Sequence, residues 1–316
     1  MKKWSLITIL LTVLLVLAAC GSKEESTTEA KNSSGNEESK EVTVKHELGE
    51  TKVKQNPEKV VVFDFGVLDT LDELGVEVAG VPQATIPPYL EKYSSSDYTN
   101  VGSLKEADFE AISSMKPDVI FISARQSEMY EEFAKIAPTV YVQTDYTKYM
   151  ESFTNNMETI AEIFDKEDEM KKELEDVQAE VDGIKEKTGG LDSKALILMG
   201  NEGEVSAYGP GSRFGILHDV FGFKPSDENI EESTHGQNVT FEYVLEQNPD
   251  VLFVIDRDAA FDPNASVKDS IENELVQKTN AYKKEKIVYL NGGPWYLSGG
   301  GLQSMKQMVE DAKAGL

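Results

Sequence analysis

The sequence predicts an α/β fold of two lobes with mostly parallel sheets, joined by one long rigid helix. Three observations carry this. Apolar runs of strand length alternate with helical patterns on both sides of the chain's middle, which is the signature of parallel sheets covered by helices. The middle, Tyr149 to Lys187, has no proline, and its apolar residues recur at steps of three and four. Residues 108–125, DFEAISSMKPDVIFISAR, align without a gap on residues 240–257, TFEYVLEQNPDVLFVIDR, at a constant offset of 132.

The N-terminus comes first. Lys2 and Lys3 precede an apolar run, Leu6–Ala19, which is too short for a permanent membrane span but suits a signal peptide, residues 1–19. Cys20 closes the stretch LAAC and is the only cysteine, so no intrachain disulfide can form. Residues 20–41 hold no large apolar side chain and are expected to be a disordered tether. Order is expected from Val42, in a hairpin turning at Gly49. Strands are expected at Val60–Phe65, Val76–Val81, Val119–Ser123 and Val140–Gln143. A helix at Leu68–Leu74 stops at Gly75. These form an N-terminal lobe, residues 42–165. A break near Asp165 divides two helices, and the second, residues 166–188, is the bridge. The C-terminal lobe, 189–316, has strands at Ala195–Met199, Val251–Ile255 and Ile287–Leu290. It has a helix at Phe214–Phe221 and closes with another at Met305–Ala314.

With 31 basic against 57 acidic residues, the formal charge is −26. That excludes a general phosphate-binding surface, so no nucleic acid partner is expected. An anion must therefore be met by local positive charge. Of the basic residues only Arg125, Arg213 and Arg257 are arginine. Two of them end the repeat copies, each just past a strand, one per lobe. Ligands of parallel α/β sheets bind beyond the strands' carboxyl ends, so Arg125 and Arg257 are expected to face a shared cleft. Helical periodicity explains the repeat's apolar matches. It does not explain the matched arginines, or Glu110 matched with Glu242. Arg213 sits in the turn-rich loop YGPGSRFG, near an expected helix start. Phe214 replaces the last glycine of a dinucleotide fingerprint there, and no phosphate-binding P-loop motif occurs anywhere. Among the histidines, His218 lies in an apolar stretch and reads as structural, His46 reads as exposed in the hairpin, and His235 lies in a polar loop.

With these residues in view, the chain resembles the ferric-siderophore-binding lipoproteins of ABC importers, which have the class III substrate-binding fold. It is most similar to the group that binds petrobactin and other catecholates in Gram-positive bacteria. The segments VVVFDFGVLDTLDELG, GSRFGILHDVFG, STHGQNVTFEYV, VIDR and WYLSGGG carry the resemblance across essentially the whole mature chain. It implies a lipid on Cys20, holding a monomer at the outer face of the cell membrane. It implies that Arg125, Arg213 and Arg257 grip an anionic ferric siderophore. Tyr296 and His235 would complete the iron shell when the siderophore supplies too few donors. Glu110 and Glu242 would dock on the permease. No cofactor and no enzymatic activity are implied. Two other readings remain on residues alone. A bare-metal receptor would need clustered histidines and carboxylates, and the three histidines are scattered. A haem or cobalamin receptor would share the fold but leaves three selective arginines unexplained.

Overall fold

The computed structural model describes residues 40–201, 203–262 and 264–316. The expected signal peptide, Cys20 and nearly all of the tether lie outside the described residues. The chain opens with an antiparallel hairpin, β1 (Glu41–His46) and β2 (Gly49–Lys54). The first lobe holds β3 (Val60–Val62), β4 (Gly80–Val81), β5 (Thr99–Asn100), β6 (Val119–Ile122) and β7 (Thr139–Tyr141). These form one parallel sheet in the order β5-β4-β3-β6-β7. Its helices are α1 (Phe65–Glu73), α2 (Phe109–Met115) and α3 (Tyr130–Ala134). Then come α4 (Tyr149–Phe164) and α5 (Glu167–Gly189), separated by Asp165 in the left-handed region at φ 55°. With 23 residues, α5 is about 34 Å long.

The second lobe holds β8 (Lys194–Asn201), β9 (Glu204–Tyr208), β10 (Lys224–Pro225), β11 (Gln237–Val239), β12 (Val251–Asp256) and β13 (Ile287–Asn291). Their order is β11-β9-β8-β12-β13, with β10 beside β8. Only the pairings of β9 and β11 are antiparallel in this sheet. Its helices are α6 (Ile216–Asp219), α7 (Phe241–Gln247), α8 (Lys268–Ile271), α9 (Asn280–Lys283) and the closing α10 (Leu302–Lys313).

The repeat is visible in space. Strands β6 and β12 hold the same place in their sheets, between β3 and β7 and between β8 and β13. The helix before each is capped by a side chain, Asp108 for α2 and Thr240 for α7. Each helix ends on a left-handed residue, Lys116 and Asn248. The matched aspartates are structural staples. Asp118 accepts hydrogen bonds from the amides of Glu58 and Lys59 at 3.0 and 2.8 Å, and Asp250 from the amide of Lys194 at 3.1 Å. Both copies of the Pro-Asp pair are thus explained by tying a strand to its neighbour.

Strand alternation builds the core. Val60, Val62, Val119 and Phe121 from the first sheet and Val251, Phe253 and Ile255 from the second join one cluster, together with apolar faces of α1, α4, α5 and α10. The opposite faces feed two smaller clusters, one around Ile120 and Ile122, the other around Leu252 and Val254.

Several expected boundaries move for local reasons. Strand β3, expected over Val60–Phe65, stops at Val62, because Asp64 caps α1 by accepting the amide of Val67 at 2.9 Å, which puts Phe65 in the helix. Only Gly80–Val81 of the run 76–81 is strand, since Val76 donates its amide to Leu71 and finishes the turn of α1. Ser123 leaves β6 to open a turn in which Gln126 Oε1 accepts its amide at 3.1 Å. Gln143 lies past the end of β7, its carbonyl accepting the Asn156 amide side chain at 2.8 Å. Helix α6 is only four residues long, because Gly215 and Ser212 are held in consecutive turns. A helix start therefore does not explain Arg213. His46 is half-buried rather than exposed: Thr51 pairs with its Nε2 at 3.0 Å and Tyr130 and Tyr141 flank its ring. His218 is structural as expected, buried with Nδ1 2.8 Å from the Phe223 carbonyl.

Helix α10 begins three residues earlier than the sequence suggests, and its cap comes from elsewhere. Gly301 at its N-cap has no side chain. The free amides of Gln303 and Ser304 are met by Asp69 on α1, at 3.2 and 3.1 Å, and that of Leu302 by Thr70 Oγ1 at 3.0 Å. A side chain at Gly301 would strike the Asp69 carboxylate and the Gly66 carbonyl, so only glycine allows this approach.

Candidate functional site

The cleft lies where the two lobes meet, and its walls come from both. Arg125 and Lys105 belong to the first lobe, Arg213 and His235 to the second, and the Trp295–Gly300 segment closes the floor. Tyr296 organises the site. It sits on a single π-helical turn, Gly293–Leu297, a geometry recurrent at functional sites. Trp295 beside it is buried and anchored by its indole N–H to Asp311 at 2.7 Å.

All three arginines converge on Tyr296. Arg125 and Arg213 both donate to its backbone carbonyl, at 3.1 and 2.6 Å. Arg213 also stacks on the Tyr296 ring, 4.5 Å from its centroid, and lies 5.3 Å from that of Phe214. Arg257 lies 5.4 Å from the Tyr296 ring and bonds Asn201 Oδ1 through Nη1. Arg257 does not line this cleft. It meets the site through Tyr296, whose ring its guanidinium faces at 5.4 Å.

The electrostatics follow from this crowding. Arg125 is exposed at the cleft wall, yet the protein packed around it lowers its pKa, as does the neighbouring charge of Arg213, while Asp64 pulls the other way. Two guanidinium groups on one carbonyl oxygen repel each other. Burial alone would raise the Tyr296 phenol. The hydrogen bond and charge of Arg257, with the charges of Arg213 and Arg125, outweigh it and hold the phenol below its ordinary value. The site is therefore built to receive negative charge, and its tyrosine gives up a proton more readily than usual.

His235 is exposed on the cleft wall beside Thr234. Glu110 and Glu242 are exposed at equivalent places, the second residues of α2 and α7, and stand apart from the cleft. Residues that sequence reasoning missed are Lys105, Asp64 and Tyr146, all on the cleft wall. Lys105 is one of many lysines and carries no local signal. The cap motif of Asp64 was readable, but its place beside Arg125 depends on contacts distant in the chain. Among the described residues there is no group of three or more His, Cys, Asp or Glu side chains that could hold a metal ion.

The periplasmic binding protein family matches residues 60–292. The chain belongs to that family. Among periplasmic binding proteins, it is 50% identical to the petrobactin-binding protein YclQ of Bacillus subtilis over 321 residues, covering 100% of this chain and 99% of that protein. The crystal structure of YclQ superposes with a TM-score of 0.84 at 51% identity, over 87% of this chain and 98% of that one. The ferric-anguibactin-binding protein FatB of Vibrio anguillarum is 31% identical over 276 residues, covering 85% of this chain and 86% of that protein. A crystal structure of the catecholate-siderophore binding protein VctP of Vibrio cholerae matches with a TM-score of 0.81 at 36% identity, over 87% of this chain and all of that one. All three periplasmic binding proteins are named for binding and none for catalysis. Among the described residues no helix is long and apolar enough to cross a membrane.

Proposed function

We propose that this chain is the extracellular binding protein of an ABC importer, and that it captures an anionic ferric catecholate siderophore, petrobactin or a similar one, between its lobes. The observation that carries this reading is the convergence of all three arginines on Tyr296. A ferric tris-catecholate centre carries three negative charges, and three permanent cations answer them inside a protein that is otherwise strongly acidic. Arginine suits the task because its planar fork gives several hydrogen bonds, stacks on aromatic rings and stays charged when partly buried. A haem or cobalamin receptor could use the same fold, but neither ligand presents three compact negative charges. The iron is cargo, held by the siderophore's own oxygens. Where those leave positions open, the Tyr296 phenol and the His235 imidazole are the donors offered.

In this reading residues 42–165 and 189–316 are the capture lobes and helix 166–188 is the bridge. Cys20 carries the lipid that holds a single copy at the outer face of the membrane, and residues 20–41 are its tether. Two acyl chains or more anchor stably where one does not. Glu110 and Glu242, one per lobe, meet the permease. In cells lacking this protein, the whole chain should restore uptake of radioactive iron supplied as a ferric catecholate complex. A Glu110→Ala/Glu242→Ala double variant should bind that complex normally yet restore about tenfold less uptake. Full uptake by the double variant would remove the docking role, and no uptake with the unaltered chain would refute the importer reading.

A further inference from the structure

The chain has 13 phenylalanines, all within the described residues. Only Phe261 among them is exposed, with 49% of its surface open to solvent. Its backbone is held firmly. Phe261 donates its amide to the Asp258 carbonyl at 3.1 Å and follows Ala260, which is buried against Gly292. A side chain on Gly292 would strike the Asp256 carbonyl and Ala260, so that strand end and this turn are packed backbone to backbone. The fold thus fixes the residue and leaves about half of it open to water.

The neighbours of the ring define what could cover it. The Arg257 guanidinium lies 5.3 Å from its centroid, and the Tyr296 ring meets it edge-on at 6.0 Å and 69°. The same guanidinium faces Tyr296 at 5.4 Å and is fixed by Asn201. One cation therefore serves two aromatic rings, and the three groups form a ledge beside the main cleft. A small hydrophilic anion on Arg257 would leave Phe261 in water. A purely apolar ligand would desolvate Arg257 without pairing it, at a cost in free energy. An anion that carries an aryl ring satisfies both.

We propose that Phe261, Arg257 and Tyr296 form an aryl subsite on the second lobe, which seats one ring of the ligand and selects aryl-bearing ferric complexes over aryl-free ones. The subsite rests on the siderophore reading above, and its test separates the two. The full chain and the variants Phe261→Ala and Phe261→Trp are titrated by calorimetry with the ferric tris-complex of 2,3-dihydroxybenzoate. Ferric citrate serves as an aryl-free competitor. Phe261→Ala should bind the aryl complex about 5- to 20-fold more weakly, with its preference over ferric citrate falling to match. Phe261→Trp should stay within about twofold of the unaltered chain, because it keeps an aromatic face. The unfolding temperature of the ligand-free protein should not move, since the ring is half-exposed. Unchanged affinity in Phe261→Ala, or an equal loss in Phe261→Trp, overturns the subsite while leaving capture intact. Failure of the unaltered chain to bind the aryl complex overturns both readings together.

Discussion

Replacing Arg213 with alanine lowers affinity for a trianionic ferric catecholate complex about 10- to 100-fold, because a charge-assisted hydrogen bond contributes roughly 1.5–3 kcal/mol. Arg213 is the best placed of the three arginines to show the effect. It holds the Tyr296 carbonyl at 2.6 Å, stacks on the same ring at 4.5 Å and stands against Arg125 in the cleft. A ligand-free protein with two guanidinium groups on one carbonyl oxygen carries repulsion that an anion relieves. The variant should therefore lose affinity without losing stability. Calorimetric unfolding of the ligand-free form should give a midpoint equal to or above that of the unaltered chain. A neutral ferric complex should lose less than about threefold. Equal losses for charged and neutral complexes would contradict the role assigned to charge.

Asp69→Ala lowers unfolding stability by about 2–4 kcal/mol, the cost of leaving buried amide and hydroxyl donors without an acceptor. For a body of this size that is a fall of roughly 5–15 °C in the midpoint. Asp69 is fully buried and accepts from Gln303 and Ser304 at the start of α10 and from the Tyr89 hydroxyl at 2.9 Å. Gln303 also reaches back to the Asp69 carbonyl and to Asp72, and Lys306 pairs with Glu73. Removing one carboxylate thus loosens the joint between the first lobe's helix and the segment that carries Tyr296. Burial pushes the Asp69 carboxyl up to about 7, with the donors from Ser304, Tyr89 and Gln303 pulling against it. The folded state therefore holds this proton more tightly than the unfolded chain, whose value is near 4. The stabilisation so gained is complete below pH 4 and is lost as pH rises towards 7. Asp69→Asn cannot titrate. The midpoint of the unaltered chain minus that of Asp69→Asn should fall from pH 5 to pH 8. A difference that grows with pH would contradict the raised value.

What was readable in the sequence was local. Helix–proline–strand units, the left-handed stop at Asp165 and the long proline-free α5 each follow from residues close in the chain. The repeat was legible because both copies solve one local problem, capping a short helix and stapling the next strand through Asp118 or Asp250. The rarity of arginine picked out three positions that the fold then gathers. What escaped depends on distant partners. Tyr296 looked like one donor among several, and nothing nearby announces that its carbonyl would hold arginines from both lobes. The cap of α10 comes from a residue more than 230 positions away. The one hint was negative, a glycine at the N-cap with no side chain to offer. Short strands were overread where a chain end was needed elsewhere, as at Asp64 and Val76, because a cap or a turn outcompetes one more pair of sheet hydrogen bonds.

The central claim is that a cluster of three arginines on Tyr296 selects its ligand by negative charge. It is tested most directly by equilibrium titration, followed through the emission of Trp295 in a Trp4→Phe background, where it is the only tryptophan. The panel holds a trianionic ferric tris-catecholate, a neutral ferric trishydroxamate, haem and cobalamin. The ferric catecholate should bind with micromolar or tighter affinity, about 8 kcal/mol or more, and each of the others at least about 100-fold more weakly. Binding of the neutral hydroxamate, haem or cobalamin as tightly as the catecholate would contradict the account.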